Sequence, residues 1–270
     1  MGAEADLNRV LKHIYRVTGF DARHYRPSTL ERRLGWRLVR TNSRNYREYL
    51  ARLKKDASEN YSFIHSLLIH VSDFFRDREV FRYLEKKVLP DLLRRAASEP
   101  GKRLRVWSVA CSRGQEPYSL AMILEELRQR MAIDVAISIL ATDVSQPILH
   151  QARQGCYSKS DVRSIPQDYR KKYLLSRSNE GFIVAEPVRR MVRFRRHDLL
   201  QDGIPGTFHL VLCRNVLIFI LARGRLRLIR KIHASLKPRG ILVLGQSESL
   251  EEEKRFRSLS PPYRIYERVS

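Results

Sequence analysis

Arg103-Leu-Arg-Val-Trp-Ser-Val-Ala-Cys-Ser-Arg-Gly-Gln-Glu-Pro-Tyr-Ser-Leu-Ala121 is the stretch on which the reading of the fold turns. Leu104 to Val109, with β-branched and aromatic residues, reads as a buried strand. From Pro117 to about Arg130, Leu120, Ile123, Leu124 and Leu127 follow helical spacing, and proline suits a first helical turn because its missing N–H costs nothing there. Between them Ala110-Cys-Ser-Arg-Gly-Gln-Glu116 is a loop of mostly small residues opening onto a helix N-terminus. Strand, tight loop and helix form the arrangement by which α/β folds hold nucleotide-like cofactors, with free N–H groups facing the ligand. Gly114 is the loop's single glycine and no Walker lysine follows, so a dinucleotide fingerprint and a P-loop are both excluded. Glu116 puts a carboxylate where a phosphate would sit, which suits a cofactor with a cationic group. S-adenosylmethionine, with an ammonium and a sulfonium, is one. On these residues alone an ordinary βα turn is an equal reading.

The 270 residues, 43% of them apolar, allow a sizeable core in one large domain or two smaller ones. No apolar run has the length of a membrane span, and Met1-Gly-Ala-Glu-Ala-Asp6 lacks the basic and apolar regions of a signal peptide. Cys111, Cys156 and Cys213 form no CxxC pair, which argues against zinc and disulfides and for small buried thiols in a reducing cytoplasm. The net charge of +23, from 52 basic and 29 acidic residues, calls for an acidic partner. Residues 203–247 contain no acid at all. Nucleic acid is not expected, because no nucleic-acid-binding motif accompanies the charge.

Before the loop, residues from Asp6 to Phe81 read as short helices without strands. In Pro27–Arg40, Leu30, Leu34 and Leu38 make an apolar stripe, while Arg33, Arg37 and Arg40 share a neighbouring face. Then comes Val71-Ser-Asp-Phe-Phe-Arg-Asp77, two phenylalanines among polar residues. Its plainest reading is the start of a helix ending near Leu93, capped by Ser72 or Asp73. After the loop, Val135–Ala141 is a second strand ending in Asp143, an acid where Rossmann-like folds hold ribose hydroxyls or cap the next helix. Residues from Tyr157 to about Arg190 are irregular and read as a small β insertion. Further strands are expected at Met191–Phe194, Phe208–Leu217, Ile241–Gly245 and Tyr263–Glu267, with a helix from Leu221 to Leu236. Glu116, Asp143, Asp198 and Arg214-Asn215 cluster where the first four strands end, and in an open α/β sheet those ends line one crevice.

Taken in order, Ser72-Asp-Phe-Phe-Arg76, Ala110–Ser119, Ala141-Thr-Asp-Val144, Ala152–Tyr157, Phe194–Leu200, Cys213–Ile218, Leu236–Gly240 and Gly245-Gln-Ser-Glu-Ser249 resemble the chemotaxis-receptor methyltransferase family (CheR) over nearly the whole chain. The resemblance implies an α/β fold: a Rossmann-like S-adenosylmethionine-dependent methyltransferase domain (81–270) with an inserted antiparallel β-subdomain (158–190). An α-helical N-terminal domain with a linker segment (1–80) precedes it. By position, Glu116 would contact the methionine ammonium, Asp143 the ribose hydroxyls, and Asp198 and Leu199 the adenine. Arg214 and Asn215 would line the same site, which Ser72 and Arg76 would close.

The implied activity is methyl transfer from S-adenosylmethionine to receptor glutamates, leaving S-adenosylhomocysteine. The implied partner is the acidic helical cytoplasmic region of receptors, docked by Arg33, Arg37 and Arg40 on a cytoplasmic, monomeric enzyme. The alternatives are a cofactor-binding signalling module and a nucleic-acid methyltransferase. The chain departs from the family at His70, Arg113, Gln115 and Gln246, and above all at Phe219, where the family has tyrosine beside the reacting methyl. Arg76 and Phe219 are thus the candidates for the catalytic positions, and the lost hydroxyl is expected to slow turnover.

Overall fold

The computed structural model describes residues 2–67, 72–177, 181–250 and 254–269. By packing, the chain divides into two compact units, 1–70 with 219–226 and 71–218 with 227–270. Segment 71–80, read as a linker, belongs to the second.

The first unit contains α1 (Gly2–Thr18), α2 (Pro27–Arg40), α3 (Tyr46–Lys55) and α4 (Ala57–Leu67). Pro27 opens α2, and the Asn45 side chain caps α3 by accepting the N–H groups of Arg47 and Glu48 at 3.1 and 3.0 Å. Val10, Ile14, Leu34, Tyr49, Leu53 and Phe63 form the core of this unit. A buried acid lies among them. Glu59 is 5% exposed, accepts the Tyr49 hydroxyl at 2.6 Å, and receives both ends of the Arg37 guanidinium, one of them at 2.9 Å. Burial drives the basicity of Arg37 down, but Glu59 and Tyr49 more than restore it.

This corrects the docking role expected of Arg37. Leu30, Leu34 and residue 37 are spaced i, i+4, i+7, so position 37 continues the buried stripe and turns its charge inward. The face left to solvent carries Arg32, Arg40, Trp36 (59% exposed) and Val39 (81%), with the Arg33 guanidinium stacked 4.5 Å from the Trp36 ring.

The second unit is built on a seven-stranded sheet. Its strands are β1 (Arg103–Val109), β2 (Ala136–Asp143), β6 (Val192–Arg196), β7 (Phe208–Cys213), β8 (Leu236–Leu244), β9 (Phe256–Ser260) and β10 (Ile265–Arg268), in the order β6-β2-β1-β7-β8-β10-β9. The first five are mutually parallel, and β10 runs antiparallel to both neighbours. All six residues of β7 are buried, as befits a central strand covered on both faces. The helices α7 (Gln115–Arg130), α8 (Gln146–Gln154) and α11 (Ala222–Ser235) follow β1, β2 and β7. The expected insertion is a three-stranded antiparallel sheet, β3 (Cys156–Tyr157), β5 (Gly181–Val184) and β4 (Leu174–Arg177) in that order, with α9 (Gln167–Tyr173) before β4. Cys111 and Cys213 are buried, whereas Cys156 is half-exposed.

The helix expected to begin after Ser72 or Asp73 begins at Arg78 instead. Its N-cap, Asp77, is left-handed at φ 58°, and its carboxylate turns away from the helix towards Arg214. The helix runs as α5 (Arg78–Tyr83), one π turn (Leu84–Val88) and α6 (Leu89–Ser98). Pro90 has no N–H and its ring displaces the carbonyl a turn earlier, which accounts for the widened turn before it. Strand β9 was not legible in the sequence.

Arg37→Met should lower the unfolding free energy by about 3–5 kcal/mol, because it strands the buried Glu59 without its cation. Arg40→Met, at an exposed position, should change it by no more than about 0.5 kcal/mol. Urea melts of the two variants check this, and coincident midpoints would refute the inward role of Arg37.

Candidate active site

The loop after β1 is the least ordinary backbone in the second unit. Ala110, Ser112 and Gly114 are all left-handed, at φ 51°, 52° and 88°. Only glycine fits at 114, where a Cβ would lie 3.1–3.2 Å from Phe194, Ala152 and the Tyr157 hydroxyl. The loop around the other two is held by backbone N–H bonds to β2 and its end. Cys111 donates to the Thr142 carbonyl at 2.8 Å, and the Ser112 N–H donates to Asp143 Oδ2 at 3.0 Å. Asp143 Oδ1 accepts the N–H of Ser145 at 3.0 Å, so this carboxylate joins the ends of β1 and β2 and also caps the entry to α8.

Glu116 lies in the first turn of α7, half-buried. Ser108 on β1 donates to its Oε1 at 2.8 Å, and Arg214 Nη1 to its Oε2 at 3.3 Å. Burial pushes its carboxyl above the ordinary glutamate value, against the opposing pull of Arg214, Ser108 and Arg76. Arg214 leaves the end of β7 with a side chain only 2% exposed. Its Nη2 donates to Asp77 Oδ2 at 2.6 Å and to the Arg76 carbonyl at 3.0 Å, and the guanidinium lies 5.4 Å from the centre of the Phe81 ring.

Asn215, at φ 62°, and Leu217 are fastened by a residue that sequence reasoning did not single out. Glu248 Oε2 accepts the N–H groups of Asn215 (2.8 Å) and Gly245 (2.7 Å), and its Oε1 that of Leu217 (2.7 Å). Gly245 permits this close approach, since a Cβ there would stand 2.8–2.9 Å from Glu248 and Asn215. The signal was present in Gly245-Gln-Ser-Glu248, an acid three residues after a strand-ending glycine.

Beyond β6, Asp198 folds its own loop by accepting the N–H groups of Leu200 (2.9 Å) and Gln201 (3.2 Å). Lys231 on α11 locks that loop from outside, donating to the carbonyls of Leu199 at 2.8 Å and Asp202 at 2.5 Å. Ser72 is half-buried, and the segment from Phe74 onward is anchored by its aromatic rings: Phe74 against Tyr157, Phe75 against Phe81 and Tyr169. His70 lies outside the described residues. The structure therefore brings Arg76, Glu116 and Arg214 together, and sets Asp143, Asp198, Leu199 and Asn215 at the adjacent strand ends. Phe219, Arg33, Arg37 and Arg40 belong to the first unit, where the Phe219 carbonyl accepts the Arg26 N–H at 3.0 Å.

Four buried polar atoms on these strand-end segments have no hydrogen-bond partner in the protein: Ser112 Oγ, Gln115 Oε1, His197 Nδ1 and Arg214 Nε. Buried polar groups are normally paired, so this grouping fits a polar ligand laid across the carboxyl ends of β1, β2, β6 and β7. An acid at the first loop, a second at the end of β2 and no phosphate-binding glycines suit an adenosyl group joined to an ammonium.

Fold and site together define an S-adenosylmethionine-dependent methyltransferase. Residues 70–265 match the family model described as "CheR methyltransferase, SAM binding domain", and residues 5–68 match its "all-alpha domain". The chain belongs to the CheR methyltransferase family. It is 36% identical over 247 residues to a chemotaxis protein methyltransferase of Listeria monocytogenes, covering 92% of this chain and 91% of the relative. A chemotaxis protein methyltransferase of Borreliella burgdorferi is 30% identical over 260 residues, 95% and 92% of the two chains. Chemotaxis protein methyltransferase 2 of Vibrio cholerae is 30% identical over 272 residues, 97% and 93%.

Only an ionised Glu116 pairs with an ammonium, and its raised pKa means that it takes up a proton at a higher pH than an ordinary glutamate. S-adenosylhomocysteine affinity should therefore fall with decreasing pH, starting above the usual carboxylate range. Glu116→Gln should bind more weakly at neutral pH and lose that acid limb. Superimposable calorimetric pH profiles for the two proteins would remove Glu116 from the ammonium site.

Proposed function

We propose that this chain transfers the methyl group of S-adenosylmethionine to glutamate side chains in the acidic helical cytoplasmic region of chemotaxis receptors, acting in the cytoplasm as a monomer. The observation carrying this reading is the Glu116–Arg214 pair beside Arg76, at the loop of a CheR-family chain whose relatives are named for chemotaxis. Those relatives favour it over a nucleic-acid methyltransferase. Among the described residues, no helix is long and apolar enough to cross a membrane.

Glu116 would hold the cofactor's ammonium, Asp143 its ribose hydroxyls, and Asp198 and Leu199 its adenine. Ser72, Arg214 and Asn215 would complete the lining. When bound, S-adenosylmethionine supplies an electrophilic methyl group on a sulfonium. The acceptor glutamate, with a reference pKa of about 4.3, is already ionised at neutral pH and needs no general base. The protein has instead to align it in line with the methyl, exclude water and neutralise its approach. Arg76 is the cation for that task. In support, its charge is close enough to Glu116 to pull that carboxyl's pKa down. At position 219 the chain carries phenylalanine where the resemblance implies a tyrosine, whose hydroxyl would orient or polarise rather than transfer a proton.

Docking falls to the exposed face of α2, with Arg33 and Arg40 for the acidic partner and Trp36 as an apolar anchor. Its basic residues steer encounter, so their effect is on KM.

Radiolabelled methyl transfer to a receptor cytoplasmic fragment tests the reading, and no label on glutamate would refute it. In that assay Phe219→Tyr should raise kcat while leaving S-adenosylhomocysteine affinity unchanged. Trp36→Ala combined with Arg40→Glu should raise the KM for the fragment and flatten its salt dependence with kcat preserved. An effect confined to kcat would remove α2 from docking.

A further inference from the structure

Arg113 is a residue of the loop after β1 that the methyl-transfer scheme leaves without a task. Its guanidinium makes a two-pronged pair with Asp161 of the insertion, Nη1 to Oδ1 at 3.2 Å and Nη2 to Oδ2 at 3.1 Å. Asp161 is itself fixed by Ser158, whose N–H and hydroxyl donate to Oδ2 at 3.0 and 2.8 Å. Beside this pair the Tyr157 hydroxyl of β3 donates to the Arg113 carbonyl at 2.6 Å. The insertion thus grips residue 113 by both its backbone and its side chain.

That residue stands between two left-handed positions, Ser112 and Gly114. A loop whose backbone is in a sparsely populated region keeps its shape only where its surroundings over-determine it. On one side the determinants are the bonds to Thr142 and Asp143, and on the other they are Tyr157 and Asp161. The loop's orphaned polar groups, Ser112 Oγ and Gln115 Oε1, lie one and two residues from Arg113. Any rotation of the loop about residue 113 re-aims both.

We propose that Arg113 and Asp161 form a clasp through which the inserted β-subdomain positions the cofactor loop, so that the pair sets cofactor affinity without taking part in methyl transfer. Arg113 and Asp161 are positioning residues. The inference rests on the cofactor site described above. Burial raises the Asp161 carboxyl's pKa, but Arg113 and Ser158 lower it further than that, so this carboxylate stays ionised through the neutral range. Its side chains are 35% and 21% exposed, and neither substitution below opens a core cavity.

Arg113→Ala, Asp161→Asn and the double variant of the full chain are compared by calorimetry with S-adenosylhomocysteine. Each single change should raise Kd about fivefold, at the low end of coupling between separate sites. The double variant should be no weaker than the weaker single one, because both break the same contact. Initial rates at saturating cofactor should match the unsubstituted protein. Lowered melting temperatures with unchanged Kd would make the pair a structural tie and overturn the clasp, as would additive losses in the double variant. If the unsubstituted chain itself fails to bind S-adenosylhomocysteine, the cofactor reading falls, and the clasp with it. Binding by that chain with equal affinity in all variants defeats the clasp alone.

Discussion

The second unit depends on what happens to the charge of Arg214. A guanidinium 98% removed from water costs several kcal/mol unless it is neutralised in place. Two carboxylates, Asp77 and Glu116, and the Arg76 carbonyl meet it, with the Phe81 ring alongside. The charge and its partners come from three parts of the chain: the end of β7 with Arg214 itself, the segment entering α5 with Arg76 and Asp77, and the first turn of α7 with Glu116. Compensating one buried charge therefore fixes three segments at once. It also accounts for the left-handed Asp77, a conformation costing about 1–3 kcal/mol that persists because its carboxylate has nowhere better to go.

A second carboxylate performs the same kind of work without a cation. Glu248 takes three backbone N–H groups, two from the turn after β7 and one from the end of β8. Those donors have left the ladder and would be orphaned in a buried turn. Asp143 and Asp198 do likewise for the loops after β1 and β6. The site is thus framed by acids that satisfy loop backbone, and the ligand-facing polarity is what remains after those bonds are made.

This division explains what could be read in advance. Strand, loop and helix around residues 103–130 were legible because apolar periodicity and a first-turn proline are local signals. Asp143, Asp198 and Arg214 were legible as polar residues at or just past the ends of expected strands. Asp77 as a left-handed cap, Glu248 as a clamp and Arg37 as an inward-turned cation were not, since each is defined by a partner far along the chain: residues 214, 215 and 59. Arg37 misled because a basic helix face reads as solvated until the stripe it continues is seen to be buried. Strand β9 has both ends buried but three exposed residues between, too weak an alternation to announce an edge strand.

The same division bears on the excess charge. Among the described residues, the buried acids are Glu59, Glu125, Asp143, Asp198, Glu248 and Glu267, while the lone buried member of the Lys/Arg class is Arg214. Asp143, Asp198 and Glu248 go inward because a carboxylate accepts several N–H donors from loop backbone, whereas Glu59, Glu125 and Glu267 go inward to meet arginines from the partly exposed shell. Sequestering acids inside leaves the solvent-facing surface more basic than the net +23 of the sequence implies. At physiological ionic strength such a field reaches about 8 Å before it is screened. It therefore acts on an acidic surface only in the last steps of encounter, not at long range. The polarity that shapes the site and the basic charge left on the surface are thus two sides of one partition of charge.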